Sequence, residues 1–115
     1  MELTTFIHTL EHSPETIEFD QTMAIIERYY TFTPTAFTNG DTFNEVNQNN
    51  GSCKIFAFGQ ENQLSESQTL ACFGRYYRED VLNHPTGDDH ANIRNFMQTG
   101  WQGVNFEGQA LADKG

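Results

Sequence analysis

Basic side chains are scarce in this chain. Six Lys and Arg stand against sixteen Asp and Glu in 115 residues, for a net charge of −10. A nucleic-acid groove needs clustered cations to neutralise phosphates, and an anionic membrane surface needs them too, so the composition sets both partners aside. Cysteine is scarcer still. Cys53 and Cys72 each fall inside a predicted helix among apolar neighbours, which reads as two buried free thiols rather than a disulfide framework. No apolar run approaches the roughly 18 residues of a membrane span, and no basic-then-apolar signal opens the chain. The protein therefore reads as cytoplasmic where it is made. Without a secretory signal, the glycosylation match at Asn50-Gly51-Ser52 carries nothing.

Aromatic side chains are plentiful: ten Phe, four Tyr and one Trp. Each can bury about 150–250 Å², so residues 1–115 can form one domain with a sizeable core and no staples. The clearest pattern is Ser65–Leu82. Leu70, Phe73, Tyr77 and Val81 make one stripe at i, i+3, i+7 and i+11. Ser65 and Gln68 have capping-box spacing. This stretch predicts a central amphipathic helix.

Around it the spacing predicts a short helix from Leu3 to Glu11, ended by Ser13-Pro14, and a second from Gln21 to Tyr30 behind an Asp20 cap. A third runs from Cys53 to about Gln60 behind Ser52, frayed near Gly59. A fourth runs from an Asp88 or Asp89 cap to about Gln98, with Gly100 as its terminating glycine. Trp101–Phe106 alternates as a short strand whose natural partner is Thr35–Thr38. The turn-rich, Asn-rich stretch 39–51 reads as a long functional or mobile loop, and the tail 109–115 as frayed. The expected fold is mainly α within the α+β class: four or five helices around Ser65–Leu82, with a small two-stranded β element.

Five strings, FTPTAFTNG (32–40), GSCKIFAFGQ (51–60), LSESQTLACFGRYYREDVL (64–82), DHANIRNFM (89–97) and GWQGVNFEG (100–108), resemble the HopJ type III effector family. The likeness spans about His12 to Gly108. It implies a protein delivered into host cells by a type III secretion system, and it brings no catalytic residue with it. Patterned sequence from Leu3 onward leaves little room for the disordered, Ser-rich export segment usual in such cargo. A resident cytoplasmic protein of the same fold therefore stands as the alternative.

The residues themselves offer several sites, each with a plainer explanation. Arg75 and Arg78 lie one turn apart, and such forks bind carboxylate or phosphate; the plainer account is pairing with acids, as Arg75 with Glu79. Arg75 and Arg94, with Tyr76 and His90, can share a groove between two helices, holding either a small anion or one carboxylate partner for each arginine. His84, Asp88, Asp89 and His90 carry metal-ligating atoms, but their spacing fits no zinc or calcium motif. Gly51-Ser52-Cys53-Lys54 faintly resembles a phosphate cradle and lacks the full loop. A hydrolase built on Cys53 or Cys72 would need an exposed thiolate beside a base. Nothing in the sequence calls for a cofactor or a metal. Two readings remain: an acidic module that binds a host or bacterial protein, including through 39–51, and a cytoplasmic binder or enzyme for a small anionic ligand.

Overall fold

The computed structural model describes residues 1–114 and centres them on helix α3, Asn50–Glu61. Cys53, Ile55, Phe56, Ala57, Phe58 and Gly59 of this helix are all buried. The Phe56 ring meets Phe37, Phe73, Phe96 and Trp101 at centroid distances of 4.9–6.4 Å. Phe58 meets Phe6 at 5.8 Å and Tyr30 at 5.9 Å. Residues two apart on a helix point to different sides, so α3 joins two aromatic clusters. Burial holds it, since no side chain caps its start.

Helix α1, Leu3–His12, buries Phe6 and Leu10 and ends at Ser13 before a 3-10 turn at Pro14–Thr16. Helix α2, Phe19–Tyr29, starts two residues earlier than expected, with Glu18 rather than Asp20 as its cap. The Glu18 N–H donates to the Gln21 side chain at 2.8 Å, which fixes that boundary. Helix α3 likewise starts at Asn50, ahead of Ser52, and runs past Gly59 to Glu61. Gly59 is a packing glycine: a Cβ there would lie 2.8 Å from the Trp101 ring.

The predicted single helix over Ser65–Leu82 is two. The Ser65–Gln68 capping box is present, with bonds of 2.9 and 3.1 Å, and it opens helix α4, Glu66–Ala71. Gly74 then takes φ +61°, and a π-helical segment covers Tyr76–Val81. Close approach of α2 explains the break. A Cβ on Gly74 would sit 2.6 Å from the Phe19 backbone nitrogen. The apolar stripe still faces inward, with Leu70, Phe73 and Val81 buried and Tyr77 packed against the core.

Helix α5, Ala91–Thr99, begins after His90 in the left-handed region rather than after Asp88 or Asp89. Gly100 closes it with positive φ. A 3-10 turn occupies Gly100–Gly103, so the expected strand from Trp101 is shortened to β4, Val104–Phe106.

The fold class is as expected: mainly helical, with small antiparallel strand elements. Strand β1 is Tyr30–Phe32, β2 is Phe37–Asn39, β3 is Thr42–Asn44 and β5 is Leu111–Asp113. The expected pairing of 35–38 with 101–106 is seen as β2 against β4, Phe37 opposite Phe106. Three strands, β1, β3 and β5, lie outside the expected two-stranded element. Strand β3 folds back on β2, so 39–51 is not an open loop. Strand β5 pairs with β1, Leu111 opposite Phe32, so the tail through Lys114 is held rather than frayed; Gly115 lies outside the described residues. The sequence around Leu111 has no large apolar alternation to mark β5, and the burial of Leu111 depends on pairing with the distant Tyr30–Phe32.

Candidate functional site

The starts of α2, α3 and α5 and of the π-helical segment surround a cavity of about 340 Å³. Phe19, Phe73 and Ile93 give it apolar walls, and Ser52, Tyr76 and His90 line it too. The Tyr76 and His90 rings lie 5.2 Å apart at 35°, and Phe19 meets Tyr76 edge-on at 5.1 Å. The His90 Nε2 is 3.0 Å from Asp80 Oδ2 and 3.9 Å from Asp89 Oδ2. A carboxylate in that position orients the imidazole ring. Arg94 donates to the Asp89 carboxylate at 2.6 Å and holds that carboxyl below its ordinary range.

Behind this cavity lies a cluster of asparagines. Asn44 and Asn92 exchange amide hydrogen bonds at 3.0 and 3.2 Å. Asn39 donates to the Asn92 side chain at 3.0 Å, and Asn49 to the Asn44 side chain at 2.7 Å. Asn39, Asn44 and Asn92 are buried, and Asn39 Oδ1 has no partner. Buried amides left unpaired are costly, so a nearly closed network fixes its strands against its helix. This ties β2 and β3 to α5 and gives the 39–51 segment a rigid base. The Asn-rich composition was visible in the sequence; the amide pairing, across 48 residues, was not.

The structure brings Tyr76 and His90 together and separates Arg75 from Arg94. Arg75 Nε is 2.9 Å from Glu18 Oε2 and 3.8 Å from Glu79. Arg78 donates to the other Glu18 oxygen and to the Ile17 carbonyl, both at 2.6 Å. Glu18 is thus clamped between two guanidinium groups. Helix spacing pointed to Glu79 and could not show Glu18. Arg94 donates to Asp89 and, at 2.8 Å, to the His84 carbonyl. Each of the three arginines therefore has a carboxylate partner.

Burial pushes both thiols up, Cys72 to about 12, which removes the thiolate a nucleophile needs. Gly51 and Ser52 face the cavity, while Lys54 lies over the Phe32 ring, so the four residues form no cradle. Among the described residues no three His, Cys, Asp or Glu side chains stand together as a metal site.

A family model described as HopJ type III effector protein matches residues 3–111. The crystal structure of a protein of unknown function, VPA0580, superposes with a TM-score of 0.97 at 64% identity, over 99% of this chain and 95% of that one. No curated protein matches.

Proposed function

This chain belongs to the HopJ type III effector family, and from that membership we propose that it is a small acidic protein-interaction module of effector type. It is made in the cytoplasm and delivered into host cells by a type III system, where it binds a host protein. The family match over residues 3–111 carries the reading. Two features support an interaction role. Phe43 and Val46 in the 39–51 segment are 51% and 56% exposed, and the asparagine network anchors Asn44 between them. Exposed aromatic and aliphatic side chains on a rigid support suit a docking face. The reading assigns no reaction. A photo-crosslinking residue in place of Phe43 or Val46 should give adducts with a discrete host-extract protein, and one in place of Glu61 should not. No adduct from 43 or 46, or equal adducts from 61, counts against the face.

The cavity beside Tyr76 and His90 favours a second reading, a resident cytoplasmic protein that holds a small anionic ligand there. Tyr76 also borders a neighbouring hollow with Arg75, and Arg94 lies one turn along α5 from His90. Phosphate, sulfate or a carboxylate at about 100 Kd should then add roughly 2.7 kcal/mol of stability, lost in His90→Ala. No anion-dependent shift in melting temperature removes this reading.

A further inference from the structure

The chain has two lysines, Lys54 and Lys114, and both line one cavity of about 450 Å³. Lys54 comes from α3. Lys114 arrives because β5 pairs with β1, with the Lys114 N–H donating to the Tyr29 carbonyl at 3.1 Å. Met23 and Ile26 of α2 and Phe32 of β1 supply an apolar wall. Lys54 Nζ stands 5.0 Å from the Phe32 ring centroid. Lys114 Nζ donates to the Glu27 carbonyl at 2.7 Å, which leaves two of its three N–H groups. Glu27 also lines the cavity, yet among the described residues no ion pair joins either lysine to an acid.

That contrast separates the lysines from Arg75, Arg78 and Arg94, whose guanidinium groups are taken up by Glu18, Glu79 and Asp89. Among the described residues neither lysine has a carboxylate partner, and both line the same space. Its volume falls within the range of about 300–1,000 Å³ usual for small-molecule sites, which are mostly apolar with a few fixed polar groups. An ammonium is a point charge suited to carboxylate or phosphate. Two of them beside Ile26, Met23 and Phe32 match a molecule with an anionic head and an apolar body. We propose that this cavity is a binding site for a small organic anion, a carboxylate or phosphate ester with an aromatic or aliphatic body. The head lies between Lys54 and Lys114, and the body lies on the α2–β1 wall. This site is separate from the Tyr76–His90 cavity and does not depend on the effector reading.

The test is a nitrogen-15 NMR titration of the intact chain with benzoate, phenyl phosphate, inorganic phosphate and benzyl alcohol. Benzoate or phenyl phosphate should give saturable shifts at the Phe32, Lys54 and Lys114 amides. Inorganic phosphate and benzyl alcohol, each lacking half of the chemistry, should bind about tenfold or more weakly. Lys54→Gln and Lys114→Gln should each weaken the organic anion by about tenfold, the loss of one charge-assisted contact. The wild-type shift map decides the location even if a variant folds poorly. The proposal is overturned by no saturable shift with either organic anion at about 10 mM. Shifts confined to the Tyr76–His90 cavity, equal binding of inorganic phosphate or the neutral alcohol, or undiminished affinity in folded lysine variants also overturn it.

Discussion

Replacing Gly74 with alanine should cost this protein more than any other single-methyl addition in the 65–82 stretch. At φ +61° an L-residue with a Cβ costs about 1–2 kcal/mol. The added Cβ would also lie 2.6 Å from the Phe19 nitrogen and 3.0 Å from the Glu18 Cα. Those are backbone atoms at the start of α2 and cannot swing aside, so relief requires α2 to move. α2 is tied to this link by the Thr22 hydroxyl, which donates to the Cys72 carbonyl at 2.8 Å in the interior. Overpacking of this kind costs about 1–3 kcal/mol. Alanine recovers about 0.4–1 kcal/mol by restricting the unfolded chain. The net expectation is a loss of about 2–4 kcal/mol, or a melting temperature lower by roughly 10 °C. Gly108→Ala is the control, since its Cβ would meet only Thr35 Cγ2 at 3.6 Å and should stay within about 0.5 kcal/mol. Urea and thermal unfolding of both variants give the answer. A Gly74→Ala change within about 0.5 kcal/mol of wild type would refute the reasoning and restore an unbroken helix over 65–82.

Phe56→Ala should cost about 3–5 kcal/mol in urea unfolding, because its ring joins four other aromatic side chains; a loss below about 1 kcal/mol would displace α3 from the centre of the core. Arg78→Ala should cost about 1–2 kcal/mol, since loss of its 23%-exposed side chain leaves the Ile17 carbonyl without its charged donor and Glu18 with Arg75 alone. Arg75→Ala, at 70% exposure, should cost below about 1 kcal/mol, and the reverse order would mean the clamp on Glu18 is misassigned. Cys72 titrates near 12 when folded, against a reference of 9.0, so the native state keeps a proton that the unfolded chain loses. Its stabilising contribution is complete below pH 9 and falls as pH rises toward 12, at up to about 1.4 kcal/mol per pH unit. Urea midpoints that fall equally in wild type and Cys72→Ala over that range would contradict this.

The sequence showed those elements whose determinants are local. The Ser65–Gln68 capping box, the inward Leu70–Phe73–Val81 stripe, the α1, α2 and α5 helices and the β2–β4 pair all follow from spacing within a dozen residues or from two short alternating runs. What escaped it depends on distant chain. The break at Gly74 is imposed by Phe19 and Glu18, more than 50 residues earlier. Strand β5 exists because Tyr30–Phe32 pairs with it. The same division holds at the site. Tyr76 and His90 do meet, as neighbours on segments joined by a short loop. Arg75 and Arg94 lie on those segments too, but Glu18 and Asp89 take up their charges. Nothing in the sequence joins Lys54 to Lys114, because 60 residues separate them and only the β1–β5 pairing brings them together.

The central functional claim is delivery, and host-cell translocation measures it most directly. The intact chain carries a cytosolic adenylate-cyclase reporter and is expressed in a type III-competent strain and in an isogenic strain whose secretion apparatus is inactive. Effector membership of the family predicts a host-cell cyclic AMP rise with the competent strain alone. Equal signals from the two strains, or no signal from either while a known effector fusion is delivered, would contradict the account and leave a resident cytoplasmic binder in its place.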